Sequence, residues 1–157
     1  ETPPGGLCLV LGGSTGGIAA AVCEAYQLQG IVVDWAQDAL AHVPPRLTAI
    51  EADLRTYHPP RLADLILLCR TVDHLPWVFT TLHQCLTCLA PTGSLYLDIL
   101  DWQQLRQPFS QRAKLDHPHY FTLATMTRLF SRLGLLCTDV HLMPQRHLAF
   151  LCHQSLD

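Results

Sequence analysis

Leu7-Cys-Leu-Val-Leu-Gly-Gly-Ser-Thr-Gly-Gly-Ile-Ala-Ala-Ala-Val22 decides the fold. Leu7 to Leu11 read as a buried strand, Gly12 to Gly17 as a small-residue turn, and Gly17 to Gln27 as a helix. Strand, glycine turn and helix form the opening unit of nucleotide-binding α/β folds. The glycines let the backbone turn sharply and approach a ligand with no Cβ in the way. The free N–H groups at the helix start favour an anionic group there. A plain strand-to-helix turn has the same look, so the meaning of this stretch depends on the carboxylates that follow.

Outward from it, Gly30-Ile-Val-Val-Asp34 is a short apolar strand ending in an acid. Ala36–His42 suits a short helix closed by Pro44-Pro45, and Leu47–Ile50 a third strand followed by Glu51-Ala-Asp53-Leu. Asp64–Cys69 is a continuous apolar run, as expected of a central parallel strand covered on both faces. A helix is predicted over Leu75–Leu89 with Pro76 in its first turn, closed by Pro91-Thr-Gly93, and a fifth strand over Ser94–Ile99. Asp101–His119 reads as a short helix and a loop. Leu123, Met126, Leu129, Phe130 and Leu133 make a helical stripe ended by Gly134. Leu135–Met143 and Arg146–Cys152 flank Pro144-Gln145 as a closing hairpin. The alternation predicts an α/β, Rossmann-like doubly wound sheet of seven strands, mostly parallel with an antiparallel C-terminal hairpin.

With 157 residues, the chain is expected to be a single domain over 1–157, with residues 1–6 as linker, and to be either a domain cut from a longer protein or one that begins abruptly. Its 49% hydrophobic and 15% charged content describes a core-rich globular chain. A net charge of −3 offers no basic footprint for nucleic acid. No apolar run reaches the roughly 20 residues needed to span a bilayer, so no membrane partner is expected. The seven cysteines are odd in number and scattered through apolar segments, which reads as reduced core thiols and a cytoplasmic location.

The Gly12–Gly17 turn, Asp34 and Asp53 fall at the ends of three consecutive strands, where open α/β sheets bind ligands. Asp34 is placed to accept hydrogen bonds from ribose hydroxyls and Asp53 from a purine amine. Either alone could be a solvated loop residue or a helix cap. Together they point to a nucleoside site.

The order Leu9-Val-Leu-Gly-Gly-Ser-Thr-Gly16, Ile31-Val-Val-Asp34, Ala52-Asp53, Ala63-Asp-Leu-Ile-Leu-Leu-Cys-Arg-Thr-Val-Asp-His74 and Leu89-Ala-Pro-Thr-Gly-Ser-Leu95 resembles the class I S-adenosylmethionine-dependent methyltransferases. Asp116-His-Pro-His-Tyr-Phe-Thr122, with the helix after it, is similar to a late segment of the members acting on small molecules. The resemblance runs from Leu7 to Cys152. It implies S-adenosylmethionine as cofactor: Gly12, Gly13, Ser14, Thr15 and Gly16 cradling the methionine part, Asp34 holding the ribose beside Trp35, Asp53 and Leu54 at the adenine edge, and Arg70 at the methionine end. His117, His119 and His74 are the candidate bases for an acceptor proton, with His117 preferred, since imidazole titrates near neutrality.

Two positions depart from the pattern. Val10 stands where members usually carry an acid that helps hold the methionine ammonium, and Ser14 where they carry a third glycine. Losing that charged contact could weaken binding by roughly 1.5–3 kcal/mol. Members also usually have helices ahead of the first strand that cover the substrate, and none is legible in residues 1–6. Methyl transfer to a small-molecule acceptor is the favoured reading. The alternative is a degenerate methyltransferase-like domain serving as a binding or scaffold module, with a partner domain or chain covering the site. A nicotinamide-dependent reductase is excluded, because Lys114 is the only lysine and position 110, where a Tyr-x-x-x-Lys pair would need its tyrosine, is Ser. No metal site is expected: Cys85 and Cys88, with His83 nearby, lack a second ligand pair, and Cys85 belongs to a helical core stripe.

Overall fold

The structure is a computed structural model that describes residues 5–104 and 117–155. A seven-stranded sheet in the order β3-β2-β1-β4-β5-β7-β6 forms its frame. The strands are β1 (Leu7–Leu11), β2 (Gln29–Asp34), β3 (Thr48–Glu51), β4 (Ala63–Leu68), β5 (Leu89–Leu100), β6 (Leu135–Met143) and β7 (His147–Gln154). The helices are α1 (Gly17–Tyr26), α2 (Gln37–Leu40), α3 (Val78–Thr87) and α4 (Leu123–Arg132). β1 pairs in parallel with β2 and β4, β2 with β3, and β4 with β5. β7 runs antiparallel between β5 and β6. This is the doubly wound sheet with an antiparallel end that the sequence pattern predicts.

Alternation along the central strands divides the core in two. Cys8, Val10 and Val32 face α1, which packs them with Ala19, Ala20 and Cys23; Leu40 of α2 belongs to the same layer. Leu9, Leu11, Ile31 and Val33 face the opposite layer, where Leu82 and Cys85 of α3 and Met126 and Phe130 of α4 are buried. The Phe130 and Phe150 rings meet edge to face at 5.2 Å. Buried on both faces, β1 has no polar side to show, which is why it reads as an unbroken apolar run.

Several boundaries differ from the sequence expectation. α2 has one turn only, Gln37–Leu40. The segment after β4 first makes a 3-10 turn, Val72–His74, and α3 begins at Val78, so Pro76 lies ahead of the helix and not in its first turn. β5 begins at Leu89, before Pro91-Thr-Gly93, and those residues form an irregularity within it. The register steps from Ala63 opposite Leu89 to Leu65 opposite Ser94. Gly93 sits so close there that a Cβ would meet the Ala63 and Ala90 carbonyls at 2.9 and 3.0 Å. Gly5 and Gly6, read as linker, are tied to the sheet: Gly5 N–H donates to Gln27 O, and Gln29 N–H to Gly6 O. The predicted short helix and loop of Asp101–His119 lies in large part outside the described residues; within them, Trp102–Gln104 form a 3-10 turn.

What positions the site is the change of winding direction. Crossovers from β1 lead to β2 on one side, and β4 leads to β5 on the other, so a crevice opens beyond the carboxyl ends of β1 and β4.

Candidate functional site

A cavity of about 830 Å³ occupies that crevice. Its wall takes Gly12 from the end of β1, Asp34 and Trp35 from β2, Asp53 and Leu54 from beyond β3, and Arg70, Thr71 and His74 from beyond β4. Seven residues singled out in the sequence thus meet on one wall: Gly12, Asp34, Trp35, Asp53, Leu54, Arg70 and His74. Gly13, Ser14, Thr15 and Gly16 lie behind Gly12, in the turn leading to α1, and do not line the cavity.

Asp34 is the pivot of the turn. Its side chain is buried, one oxygen accepting from Ser14 N–H at 2.8 Å and the other from Ala36 N–H at 3.0 Å. A carboxylate has about four acceptor sites, so each oxygen keeps capacity for a ligand hydroxyl. Gly12 N–H donates to Val33 O at 2.8 Å, which folds the turn against β2. Gly12 has φ +68°, and a Cβ there would meet the Thr71 side chain at 2.5 Å. Thr71 in turn donates from Oγ1 to Leu11 O at 3.2 Å and to Cys69 O at 3.0 Å, linking the ends of β1 and β4. Ser14, in the position of the third glycine, adopts φ +49° all the same.

Asp53 is exposed and already engaged. Arg55 grips it through Nε at 2.9 Å and Nη2 at 2.5 Å, and the guanidinium lies 4.9 Å from the Trp77 ring centre. The Arg55 side-chain hydrogen bonds, followed by its backbone N–H, hold the Asp53 carboxyl down at about 2. Arg70, at φ +53°, donates its N–H to Asp98 at 2.6 Å. Burial raises the Asp98 carboxyl above its ordinary value, and the Arg70 N–H opposes the rise.

The three candidate histidines separate. His74 lines the cavity. His117 lies behind it, the two rings 4.1 Å apart, with its Nδ1 2.9 Å from Asp73 Oδ2. His119 faces a different groove of about 480 Å³ between α3 and α4, its Nε2 3.2 Å from Pro76 O. Asp73, Thr71 and Trp77 are additions that sequence reading missed. Asp73 carried a signal, lying next to His74 just past a buried strand. The engagement of Asp53 by Arg55 was legible only as an i, i+2 acid and base. Cys85 and Cys88 are buried in the core under α3, where burial pushes the Cys85 thiol up to about 12.

Over residues 2–140 the sequence matches the methyltransferase domain family. The chain belongs to that family. No curated protein matches its sequence closely enough to add to this. Among solved structures, the fold resembles CalO1, a methyltransferase in calicheamicin biosynthesis solved with S-adenosylhomocysteine, at 18% identity and a TM-score of 0.78, covering 99% of this chain and 50% of that one. It resembles the O-methyltransferase NcsB1 of neocarzinostatin biosynthesis, solved with S-adenosylmethionine and 2-hydroxy-5-methyl naphthoic acid, at 15% and 0.77, covering 96% and 49%. A complex described as that between the Haloferax volcanii Trm112 methyltransferase activator and the "putative methyltransferase" gives 12% and 0.84, covering 98% and 84%. At these identities the likeness is one of fold, that of the class I methyltransferases, and this methyltransferase domain spans about half the length of the first two relatives.

Proposed function

We propose that this methyltransferase domain binds S-adenosylmethionine in the crevice cavity and transfers its methyl group to a small-molecule acceptor. The observation that carries the reading is Asp34: a buried carboxylate on the cavity wall, at the end of β2, with one backbone N–H on each oxygen and acceptor capacity left over. When bound, the cofactor supplies a methyl group on a sulfonium sulfur. Asp34 holds the ribose hydroxyls, Trp35 covers the adenine, and Leu54 and Asp53 meet its edge. The Gly12–Gly16 turn and Arg70 receive the methionine end, with Arg70 facing its carboxylate. Val10, buried in the layer under α1, brings no charge to the ammonium. Most of the catalysis is alignment of the acceptor with the methyl group. His74, on the wall, and His117, behind it, are the groups placed to manage the acceptor proton; His119 belongs to the neighbouring groove and has no part in this step.

The double length of the first two relatives supports a partner domain or chain that covers the site and carries acceptor specificity. A cytoplasmic location is supported by cysteines packed as core thiols. Arg55 on Asp53, together with Val10, favours the second reading, a degenerate domain that scaffolds a larger assembly.

Calorimetric titration with S-adenosylhomocysteine, repeated with Asp34→Ala, separates the two. The enzyme reading expects saturable binding, weakened roughly 10–100-fold by loss of a charged hydrogen-bond acceptor. Absence of binding by the folded wild-type chain sinks it and leaves the scaffold.

A further inference from the structure

We propose that Asp73, His74 and His117 form a binding site for one divalent transition-metal cation at the rim of the cavity. Each offers a ligand atom, and these atoms all lie within 4.8 Å of one another. They come from two separate places in the chain: the 3-10 turn after β4 supplies Asp73 and His74, and the segment ahead of α4 supplies His117. Such convergence brings donors together without relying on the chance crowding of a single loop.

The carboxylate supplies the independent observation. Asp73 is 6% exposed. One of its oxygens meets His117 Nδ1 at 2.9 Å, while the other, Oδ1, is buried with no hydrogen-bond partner among the described residues. A buried acceptor left unsatisfied is costly, and more so on a charged group. A proton shared between Asp73 and His117 satisfies Oδ2 alone. A cation in the same space satisfies the carboxylate as a whole and takes an imidazole from each side. One carboxylate with two imidazoles suits Zn²⁺, Co²⁺, Mn²⁺ or Fe²⁺ over Mg²⁺ and Ca²⁺, which prefer oxygen ligands throughout. Three protein ligands also leave coordination positions open, as in catalytic rather than structural sites.

Binding of the ion stands on these residues alone; its use rests on the methyltransferase reading. Because His74 lines the cavity, an acceptor oxygen bound to the ion would lie at the reacting end of the crevice. The ion lowers the proton affinity of that oxygen. With both imidazoles bound to the ion, His74 and His117 act on the acceptor proton through the metal and not as bases: the proton leaves to water, an oxygen lone pair forms the bond to the methyl carbon, and the carbon–sulfur bond breaks with its electron pair returning to sulfur. The favoured acceptors are then hydroxyl compounds with a second oxygen close enough to chelate.

The test is titration of tag-free protein with Co²⁺, followed by visible absorption. One equivalent is expected to develop d–d bands, and Zn²⁺ to displace them. Asp73→Asn and His117→Gln, each checked for folding by circular dichroism, should each weaken uptake at least about tenfold. No d–d bands, bands that persist in both variants, or the intense near-ultraviolet bands of cobalt thiolate would overturn the site. S-adenosylhomocysteine titration of the unsubstituted chain keeps the two proposals apart. Nucleoside binding without cobalt uptake removes only the metal site; cobalt uptake without nucleoside binding removes only the methyltransferase reading.

Discussion

Gly12 concentrates in one residue the constraints that shape the crevice. It needs a positive φ, and it has no room for a Cβ because Thr71 stands across from it. Gly12→Ala should therefore lose about 1–3 kcal/mol, the scale of overpacking a fitted site, seen as a lower urea midpoint. Because Thr71→Gly by itself loses the hydroxyl's bonds to Leu11 O and Cys69 O, the contact is isolated by a cycle: Gly12→Ala should cost less in a Thr71→Gly background than in the parent, the remaining cost being the part due to φ. Asp53 makes the opposite case, an exposed residue whose charge is tuned by one neighbour. Its carboxyl in the folded chain is near 2, below its ordinary value of 3.8. A depressed acid contributes stability above its unfolded pKa and loses it as pH falls through the folded one, so the contribution is full above about pH 4 and is lost between about pH 4 and 2. Exposure and screening keep that contribution small. The sharper measurement is direct: a carboxyl NMR titration should show Asp53 near 2, rising in Arg55→Ala toward the ordinary range but staying below it, because the backbone N–H of residue 55 remains.

At the scale of the element, α4 shows how side chains outside the core fix where a helix begins. Thr122 caps it, its hydroxyl accepting from Thr125 N–H at 3.2 Å while Thr125 Oγ1 accepts from Thr122 N–H at 2.8 Å. Thr122→Ala should cost about 1 kcal/mol by denaturant unfolding, whereas Phe130→Ala, which empties a buried position against Phe150, should cost about 3–5 kcal/mol. Both halves of this helix were legible: the apolar stripe gave its buried face, and Gly134, at φ +66°, its end. The central strands β1, β2 and β4 were legible for the same reason, since burial on both faces writes directly into residue order. The start of α3 was not. Leu75 and Val78 have helical spacing, but Leu75 is extended at ψ 120° ahead of Pro76, which disfavours helix in the residue before it. The step in β5 was legible only as a turn, because Pro91-Thr-Gly93 looks the same whether it precedes a strand or interrupts one. The cavity wall was half legible. Asp34 and Gly12 occupy positions that strand topology dictates, whereas the pairing of Asp73 with His117 spans 44 positions and depends on how His117 is brought back to the turn after β4.

The whole molecule couples the crevice to the core through the sheet, and this can be read in its thiols. All seven cysteines are free; Cys69 and Cys137 are half-buried and the other five are buried. Burial pushes Cys69 up to about 12, so even this more accessible thiol holds little thiolate near neutral pH. A thiol reagent at pH 8 should therefore modify Cys137 first, Cys69 slowly, and Cys85 only when the core opens. If the nucleoside binds only the folded chain, saturation at 100 times its dissociation constant adds about 2.7 kcal/mol of stability. For a domain of this size that corresponds to a rise in Tm of about 5–11 °C. Where opening and closing are fast relative to modification, the rate at Cys85 follows the open population and should fall about 100-fold on adding S-adenosylhomocysteine, while Cys137, on β6 at the far edge of the sheet, should hardly change. Equal protection of both cysteines would instead mean that the added compound acts on the reagent or on the surface. Protection of neither would mean that the crevice does not take the nucleoside. Trp35, 82% exposed on the cavity wall, gives the same experiment a local reading in a Trp77→Phe background, which removes the other exposed tryptophan of the wall: its fluorescence should shift to the blue if the nucleoside covers it. Agreement between the Cys85 rate, the rise in Tm and the Trp35 shift at one dissociation constant would tie binding in the crevice to the stability of the sheet that forms it.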